Sequence, residues 1–286
     1  MTGPGDTMEI RRLDGRPSEV SPEVSGKLMT ADGARQAAWQ VAAETPVAIL
    51  INGESFAVMM ATPADLEDFA VGFALTEGIV PGAGRIDSLR IGEASGGYLL
   101  NLRISERFAS AAQDRKRSFA GRSGCGICGA QTIEAAVPRP PRVEGLSPAA
   151  SALTRAYDAL RDAQVMNRTN HSTHAAGFCR PDGTIERVRE DIGRHNALDK
   201  LIGSLAREGK DARDGFVLVS SRISVELVQK AAVAGAPFLA AVSAPSKLAI
   251  DVAGQCGMGL ASLAGEGIMV FEPTPRKGGS REERVA

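Results

Sequence analysis

The sequence predicts a mixed α/β protein, in which a small α+β unit precedes a larger layer of alternating strands and helices. Asn52-Gly53 lies between two β-prone runs, which is a strong signal for a tight hairpin. Apolar residues at helical spacing follow over 66–74. From Ala149 onwards, short apolar runs alternate with helical patterns, which indicates a largely parallel sheet covered by helices.

The first unit is predicted to contain two strand pairs and one helix. Thr62 is a natural N-cap, Pro63 suits the first helical position, and Gly78 is expected to end the helix. The predicted strands are Val47 to Ile51, Ser55 to Ala61, Ser88 to Ile91 and Tyr98 to Ile104.

The second part is predicted to form the larger layer. Its first helix should bury Leu153, Ala156, Tyr157 and Leu160 on one face. The predicted helices span 149–164, 196–207, 225–234 and 246–253, and the predicted strands span 175–179, 185–189, 216–220, 238–242, 260–264 and 268–271.

Gly, Pro and charged residues divide the chain further. They interrupt any periodicity before about Asp32, and they recur around the Cys-x-x-Cys stretch in a long connector. We therefore expect a disordered N-terminus over 1–30, a small α+β domain over 31–107, a mobile Cys-x-x-Cys loop over 108–147, an α/β domain over 148–273 and a polar tail over 274–286.

Composition limits the function classes. The 286 residues carry a net charge of -1, so no basic field indicates nucleic acid as a partner. Met1 to Val20 lacks the apolar stretch of a secretory signal, and no run of 18 apolar residues predicts a membrane span. We expect a cytoplasmic protein whose cysteines stay reduced.

Cys125 and Cys128 form the motif with the clearest chemistry. Two thiols at this spacing can bind a metal, exchange a disulfide or share a sulfur cargo. Arg122 lies close in sequence and favours the reactive thiolate, and four glycines within the nine residues 121–129 leave the loop free to move. This pattern favours a sulfur carrier that delivers its cargo between two partners.

Two other functions remain open for this motif. A structural zinc site would need further ligands, and His171 and His174 would complete a Cys2His2 set with Cys125 and Cys128. A thiol–disulfide oxidoreductase would place its Cys-x-x-Cys at a helix N-terminus, whereas this motif lies in a connector bounded by Gly and Pro. Cys179 and Cys256 are interpreted as core residues.

Polar residues follow two predicted strands of the second part, at Ser220 to Ser224 and at Ser243 to Ser246. At the carboxyl ends of parallel strands, hydroxyl groups, helix-terminal amides and a guanidinium suit phosphate, although each serine could instead be a plain helix cap. A further polar junction precedes the helix at 196. The candidate ligand contacts are Ser220, Ser221, Arg222, Ser243, Ala244, Pro245, Ser246, Arg194, His195 and Asn196, with His174 as a proton donor or anion contact.

Several segments together resemble the formate dehydrogenase accessory sulfurtransferase family, FdhD. The likeness covers roughly 30 to 272 in the family's order, and the run from Glu190 to Lys200 together with the Cys-x-x-Cys loop is the most specific part. The other segments are Thr173-His174-Ala175-Ala176, Ser220-Ser221-Arg222 and Ser243-Ala244-Pro245-Ser246.

The resemblance implies a smaller N-terminal α/β domain, a three-layer second domain like cytidine deaminase, and a homodimer. It implies a sulfurtransferase that takes persulfide sulfur from a cysteine desulfurase onto Cys125, assisted by Cys128. The sulfur would pass to the molybdenum of bis(molybdopterin guanine dinucleotide) before that cofactor enters formate dehydrogenase. Guanine nucleotide such as GDP would bind as a mimic of the cofactor, and no resident metal is expected.

The resemblance also implies a cofactor-binding stretch near the C-terminus, which corresponds here to Leu263, Ala264, Gly265, Glu266, Gly267 and Ile268. The family pattern places an aromatic residue and an arginine where Leu263 and Gly265 stand, so only backbone contacts would be retained there. Deamination is rejected, because the chain lacks the His-x-Glu and Pro-Cys-x-x-Cys signatures of the zinc deaminases.

Overall fold

The computed structural model describes residues 8–12, 19–119, 138–145 and 147–273, apart from the side chains of 114–119. This part of the chain forms a five-stranded sheet, a six-stranded sheet and a separate two-stranded ribbon. Seven α-helices among the described residues pack between and around the sheets, which confirms the mixed α/β class. None of these helices is long and apolar enough to cross a membrane.

The strands and helices are numbered in chain order. The strands are β1 Glu9–Arg12, β2 Glu23–Thr30, β3 Gly33–Gln40, β4 Thr45–Ile51, β5 Glu54–Ala61, β6 Ile86–Ala94, β7 Gly97–Ile104, β8 His174–Cys179, β9 Ile185–Asp191, β10 Phe216–Val219, β11 Phe238–Ala241, β12 Gly259–Ala264 and β13 Gly267–Phe271. The helices are α1 Leu66–Thr76, α2 Glu106–Phe119, α3 Ala150–Ala163, α4 Val165–Asn170, α5 Arg194–Arg207, α6 Val225–Val233 and α7 Lys247–Cys256.

The first sheet has the order β1-β6-β7-β4-β5, and α1 covers one of its faces. The hairpin predicted at Asn52-Gly53 is confirmed, because both residues have the positive φ angles that a tight turn between antiparallel strands requires. Alternate residues of β4, such as Val47 and Ile49, are buried against α1 residues that include Phe69.

The second sheet has the order β13-β12-β11-β10-β8-β9 and lies in the middle of three layers. Apolar residues of α5, α6 and α7 pack on one face, where Leu239 and Val217 are buried. On the other face, α3 packs through Leu153 and Tyr157, which confirms the predicted inward face of that helix. The three-layer prediction for the second domain is therefore confirmed.

The prediction that 1–30 is disordered is wrong for the residues that the structure describes there. β1 pairs in parallel with β6, and β2 pairs with β3 in an antiparallel ribbon. Their sequences show no period because β1 is an edge strand of only four residues and nearly every residue of the ribbon is exposed. Residues 1–7 and 13–18 lie outside the described part of the chain.

Three further expectations are corrected. The connector predicted from 108 begins as a helix, because α2 continues to Phe119. The first helix begins at Leu66 rather than Pro63, after Asp65 with a positive φ of 51°. The second sheet is mixed rather than largely parallel, since β10, β11 and β12 are parallel while β8 and β13 run against their neighbours.

The two parts of the chain share one continuous core. Helices α1 and α5 cross at Gly72 and Gly203, where a Cβ on either glycine would lie less than 2 Å from a backbone oxygen of the other helix. Both helices contribute buried residues to the same apolar cluster, together with strands of both sheets. The boundary near 107–148 separates segments of sequence but does not separate two cores.

A buried polar cluster, which we call the domain junction, joins the end of β5 to α5. It consists of Thr62, Asp191, Asn196 and Lys200. The Lys200 ammonium lies 2.7 Å from Asp191 Oδ2, and both side chains are fully buried. Lys200 also donates to the Thr62 carbonyl, and the Thr62 amide donates to Asp191 Oδ2. Since each charge has its partner and its hydrogen bonds, the pair is tolerated in the buried core.

Candidate functional site

One edge of the second sheet, called here the site edge, collects the predicted ligand residues. β9, β10, β11 and β12 run in one direction and end there, and β8 runs in the opposite direction and begins there. His174, at the start of β8, is therefore paired with Asp191 at the end of β9. The turns after β9, β10, β11 and β12 all lie at this edge, where open α/β sheets bind ligands.

The turn after β10 is held by its own polar groups. Ser220 Oγ accepts a hydrogen bond from the Ala175 amide at 2.8 Å, and the Ser220 amide donates to the Ala175 carbonyl. Ser221 is buried and donates to the Arg222 carbonyl. Both hydroxyl groups therefore stabilise the turn, while the Arg222 side chain is exposed.

The turn after β11 lies beside the turn after β10. Ile223 and Pro245 form a parallel bridge, and the Ser246 amide donates to the Ile223 carbonyl. Ser246 Oγ caps α7 by accepting from the Ala249 amide at 3.2 Å. Ser243 and Ala244 are exposed. The helix-cap alternative is thus observed for Ser246, and the pairing of the two turns gives the site edge a fixed shape.

The turn after β9 presents a cation to the same edge. Arg194 is the first residue of α5, whose first turn contains no acidic residue. Its Nε atom is buried and has no hydrogen-bond partner among the described residues. A desolvated guanidinium nitrogen at a helix N-terminus, where the helix dipole is positive, favours an anionic ligand.

Two histidines are affected by the charge of this guanidinium, and both stay neutral near pH 7. Burial, followed by the positive charge of Arg194, lowers the pKa of His195 to about 4. Burial also lowers the pKa of His174, again with a contribution from Arg194. His195 Nε2 lies 3.3 Å from Ser224 Oγ. Neutral imidazoles can donate to an anion without adding repulsion to Arg194.

The low pKa of His195 makes stability depend on pH. The unfolded chain has an ordinary imidazole that binds more protons than the folded chain between about pH 4 and pH 6.5, so acid favours unfolding in this range. We expect the melting temperature of the wild type to decrease as the pH is lowered from about 6.5 to 4. The decrease should be smaller in His195→Gln, which lacks this titrating group. Calorimetry at several pH values measures this, and equal falls in both proteins would contradict it.

Asn196 is placed differently from the other predicted contacts. It is buried, and its amide nitrogen donates to the Met60 carbonyl at 2.8 Å and to Asp191 Oδ1 at 3.0 Å. These bonds join α5 to the end of β5. Any contact of Asn196 with a cofactor stays a prediction.

The stretch 263–268 forms the hairpin turn between β12 and β13 at the site edge. Ala264 pairs with Gly267, and Gly265 has a positive φ of 52°. Leu263 is 42% exposed, and Ile268 packs against the core beside α3. The structure thus brings this turn to the same edge as Arg194 and His174. Its contact with a cofactor stays a prediction.

Cys125 and Cys128 lie outside the described residues. Of the predicted zinc ligands, His171 is exposed and lies 5.7 Å from the Trp39 ring, whereas His174 is half-buried at the site edge. Within the described ranges, no group of three or more His, Cys, Asp or Glu residues could hold a metal ion. Because the two cysteines are not among those residues, the zinc alternative is not tested.

The other two cysteines are core residues, as predicted. Both are buried. Burial raises the pKa of Cys179 to about 12 and also raises the pKa of Cys256, so neither forms thiolate near neutral pH.

Pro138, the first described residue after the Cys-x-x-Cys motif, lies close to the site edge. The Pro138 carbonyl accepts a hydrogen bond of 2.8 Å from Gln229 on α6. Ser224, at the N-terminus of α6, lies about 8 Å from Gln229 along the helix axis. Val143 then donates to the Cys256 carbonyl. The C-terminal end of the Cys-x-x-Cys connector is therefore fixed beside the helix that begins at the site edge.

Sequence reasoning missed the role of Glu190. Its carboxylate accepts from the amides of Met166 and Asn167 at 2.8 Å each, and so caps α4. The sequence gives little indication of this role, because α4 has only six residues and Glu190 lies more than twenty residues after the two amides that it caps. This contact fixes the segment that leads into His174.

Fold and site together define a class. The protein is a three-layer α/β protein with a second sheet packed alongside, and its site edge carries a partly buried arginine and two neutral histidines. Such an edge suits phosphate or another anion.

The chain belongs to the FdhD/NarQ family, whose family model matches residues 42–276. It is similar to the "Sulfur carrier protein FdhD" of Agrobacterium fabrum, at 45% identity over 236 residues that cover 82% of this chain and 87% of that protein. The protein of the same name from Xanthomonas axonopodis pv. citri is 46% identical over 248 residues, which cover 86% of this chain and 88% of that protein. The predicted family is thus confirmed.

A solved structure shares the fold. A crystal structure described as a candidate formate dehydrogenase accessory protein from Desulfotalea psychrophila superposes with a TM-score of 0.69. It is 24% identical in sequence, and the match covers 90% of this chain and 99% of that chain. This likeness supports the architecture described above.

Proposed function

We propose that this protein is a sulfurtransferase that carries persulfide sulfur on Cys125 from a cysteine desulfurase to a molybdenum cofactor held at the site edge. The relatives reported above are named sulfur carrier proteins, which supports the carrier role. The proposed acceptor site rests on one observation: the Nε of Arg194 is buried and has no hydrogen-bond partner among the described residues. The charge of this arginine also lowers the pKa of His174 and of His195.

The loading step is a transfer of sulfane sulfur between thiols. The Cys125 thiolate attacks the outer sulfur of the desulfurase persulfide, a new S–S bond forms on Cys125, and the desulfurase thiolate leaves. No net oxidation or reduction occurs. Arg122 would favour the attacking thiolate.

The unloading step releases sulfide-level sulfur. The Cys128 thiolate attacks Cys125, hydrosulfide leaves towards the molybdenum, and a Cys125–Cys128 disulfide remains. The two thiols supply the two electrons that reduce the sulfane sulfur. A cellular thiol reductant then returns the pair to its reduced state.

The length of chain between Cys128 and Pro138 is sufficient for sulfur transfer from the Cys-x-x-Cys loop to the site edge. Cys128 precedes Pro138 by ten residues, and an extended chain of that length spans about 33 Å. Pro138 is fixed on α6, about 8 Å along the helix from the site edge. The motif can therefore reach the edge without any change in the folded part.

The cofactor proposed as acceptor is bis(molybdopterin guanine dinucleotide), delivered afterwards to formate dehydrogenase. Its phosphates would interact with Arg194 and with the turns at Ser220 to Arg222 and Ser243 to Ser246. The turn 263–268 would contact it through backbone groups, since Gly265 has no side chain. GDP would bind as a partial mimic, because it presents the same phosphate and guanine groups.

Pairing of two copies of the chain belongs to the same proposal. The β2–β3 ribbon exposes Trp39, Val24 and Leu28 on one face, with Trp39 54% exposed. A two-stranded ribbon has little stability alone, so a partner surface would stabilise it. Light scattering of the purified protein would measure the mass of the particle.

The acceptor site is tested by removing its cation. We expect Arg194→Gln to weaken GDP binding about 10- to 100-fold, because a hydrogen bond from a charged group to phosphate contributes about 1.5–3 kcal/mol. Calorimetric titration measures the affinity. Arg213→Gln is the matched control, since Arg213 pairs with Asp211 beside β10's amino end, away from the site edge. Equal affinity in wild type and Arg194→Gln would refute the site.

A further inference from the structure

The carboxylate of Asp191 fixes the turn that carries Arg194 and His195. Asp191 Oδ1 accepts from the Gly193 amide at 2.8 Å and from the Asn196 side-chain amide at 3.0 Å. The other oxygen is bound within the domain junction by Thr62 and Lys200. Asp191 therefore uses one oxygen for the turn and the other for the first part of the chain.

The fit around this turn is close. A Cβ on Gly193 would lie 2.9 Å from Asn196 Nδ2 and 3.4 Å from Asp191 Oδ1. On the other side, the Ile192 amide donates to Thr62 Oγ1 at 3.1 Å. The backbone of 191–193 is thus fixed by side chains from both parts of the chain, and the residues that follow point to the site edge.

The geometry points to Asp191 as a positioning residue that, with Lys200 and Thr62, sets the orientation of Arg194 and His195 towards the ligand. Asp191 is fully buried, and besides this turn it meets the site edge as the strand partner of His174, whose pKa its charge raises. The inference rests on the proposed function for what the ligand is, but the orientation of the turn can be measured without any ligand. It assigns a role to most of the polar residues in the run from Glu190 to Lys200.

The first test perturbs the turn and leaves the buried ion pair intact. Gly193→Ala places a methyl group against the Asn196 amide, and Gly84→Ala is the matched control because a Cβ there meets no atom within 4 Å. The chain has three histidines, so the imidazole NMR signals of His174 and His195 can be assigned by substitution. Inorganic pyrophosphate is the probe for anion binding.

We expect Gly193→Ala to remain folded, to shift the His174 and His195 signals, and to bind pyrophosphate about tenfold more weakly. The pKa of His195 should move up from about 4 as the ring becomes more exposed. The Gly84→Ala control should match the wild type in all three measurements.

The second test changes Asp191 itself. Asp191→Asn alone would leave the Lys200 ammonium buried without its counter-charge, so it is combined with Lys200→Met. The double variant should show the same shift of the His195 signal, measured under conditions where circular dichroism confirms the fold; the His174 signal is not used here, because the Asp191 charge acts on it directly. If it does not fold, Gly193→Ala decides the question.

Unchanged His174 and His195 signals in folded Gly193→Ala would overturn the positioning role, whatever the affinity for pyrophosphate. A wild-type protein that binds neither pyrophosphate nor GDP would instead contradict the proposed function. The positioning role of Asp191 would still be tested by the imidazole signals, because they are measured without a ligand. A loss of stability without any shift of these signals would show that Asp191 only supports the fold.

Discussion

Cys125→Ala is expected to abolish sulfur transfer completely. Alanine has no thiol that could attack the desulfurase persulfide, and no other described cysteine can replace it, because Cys179 and Cys256 are buried with raised pKa values. The assay supplies a desulfurase with labelled cysteine and follows the label on the protein and on the cofactor. Formate dehydrogenase matured with the variant should be inactive.

Cys128→Ala is the informative comparison for this prediction. It should still take up label on Cys125, because the loading step needs only one thiol, but it should release sulfide poorly without an external thiol. Cys256→Ala is the matched control for loss of a cysteine outside the motif. Full transfer by Cys125→Ala would end the proposal.

Gly72→Ala is expected to have the largest effect on stability. A Cβ at this position would lie 1.7 Å from the Asp199 carbonyl oxygen of α5, and both atoms belong to backbones that cannot rotate away. The helices would have to separate, which costs about 3 kcal/mol or more. For a chain of this size, the melting temperature should fall by about 10 °C.

Gly254→Ala is the control for this substitution. Gly254 also lies within a helix, but a Cβ there meets nothing within 4 Å, so alanine should be neutral or slightly stabilising. Thermal unfolding followed by circular dichroism compares the two variants. A Gly72→Ala protein as stable as the wild type would show that α1 and α5 do not cross as closely as described.

The sequence predicted the elements whose signal is local. The Asn52-Gly53 hairpin and the apolar face of α3 both follow from short-range patterns, and both are observed. The start of α1 was misplaced because Thr62 is used by distant residues. Its hydroxyl accepts from the Ile192 amide instead of capping the helix. Long-range hydrogen bonds of this kind leave no mark in a single sequence.

The same reason limits what could be predicted of the site. Sequence patterns placed the turns after β10 and β11 at one edge, and the structure brings them together there. The patterns could not show which serines serve the fold. Ser220 binds β8 and Ser246 caps α7, whereas Arg194 has a buried Nε without a hydrogen-bond partner among the described residues. Only the packed structure shows that its Nε is buried.

The central claim is that Cys125 holds sulfane sulfur, and intact-mass measurement tests it most directly. After incubation of the protein with a cysteine desulfurase and cysteine, we predict added mass in multiples of one sulfur atom, lost on reduction and absent from Cys125→Ala. An unchanged mass in the wild type, or a thiol pair that retains tightly bound zinc and takes up no sulfur, would contradict the account.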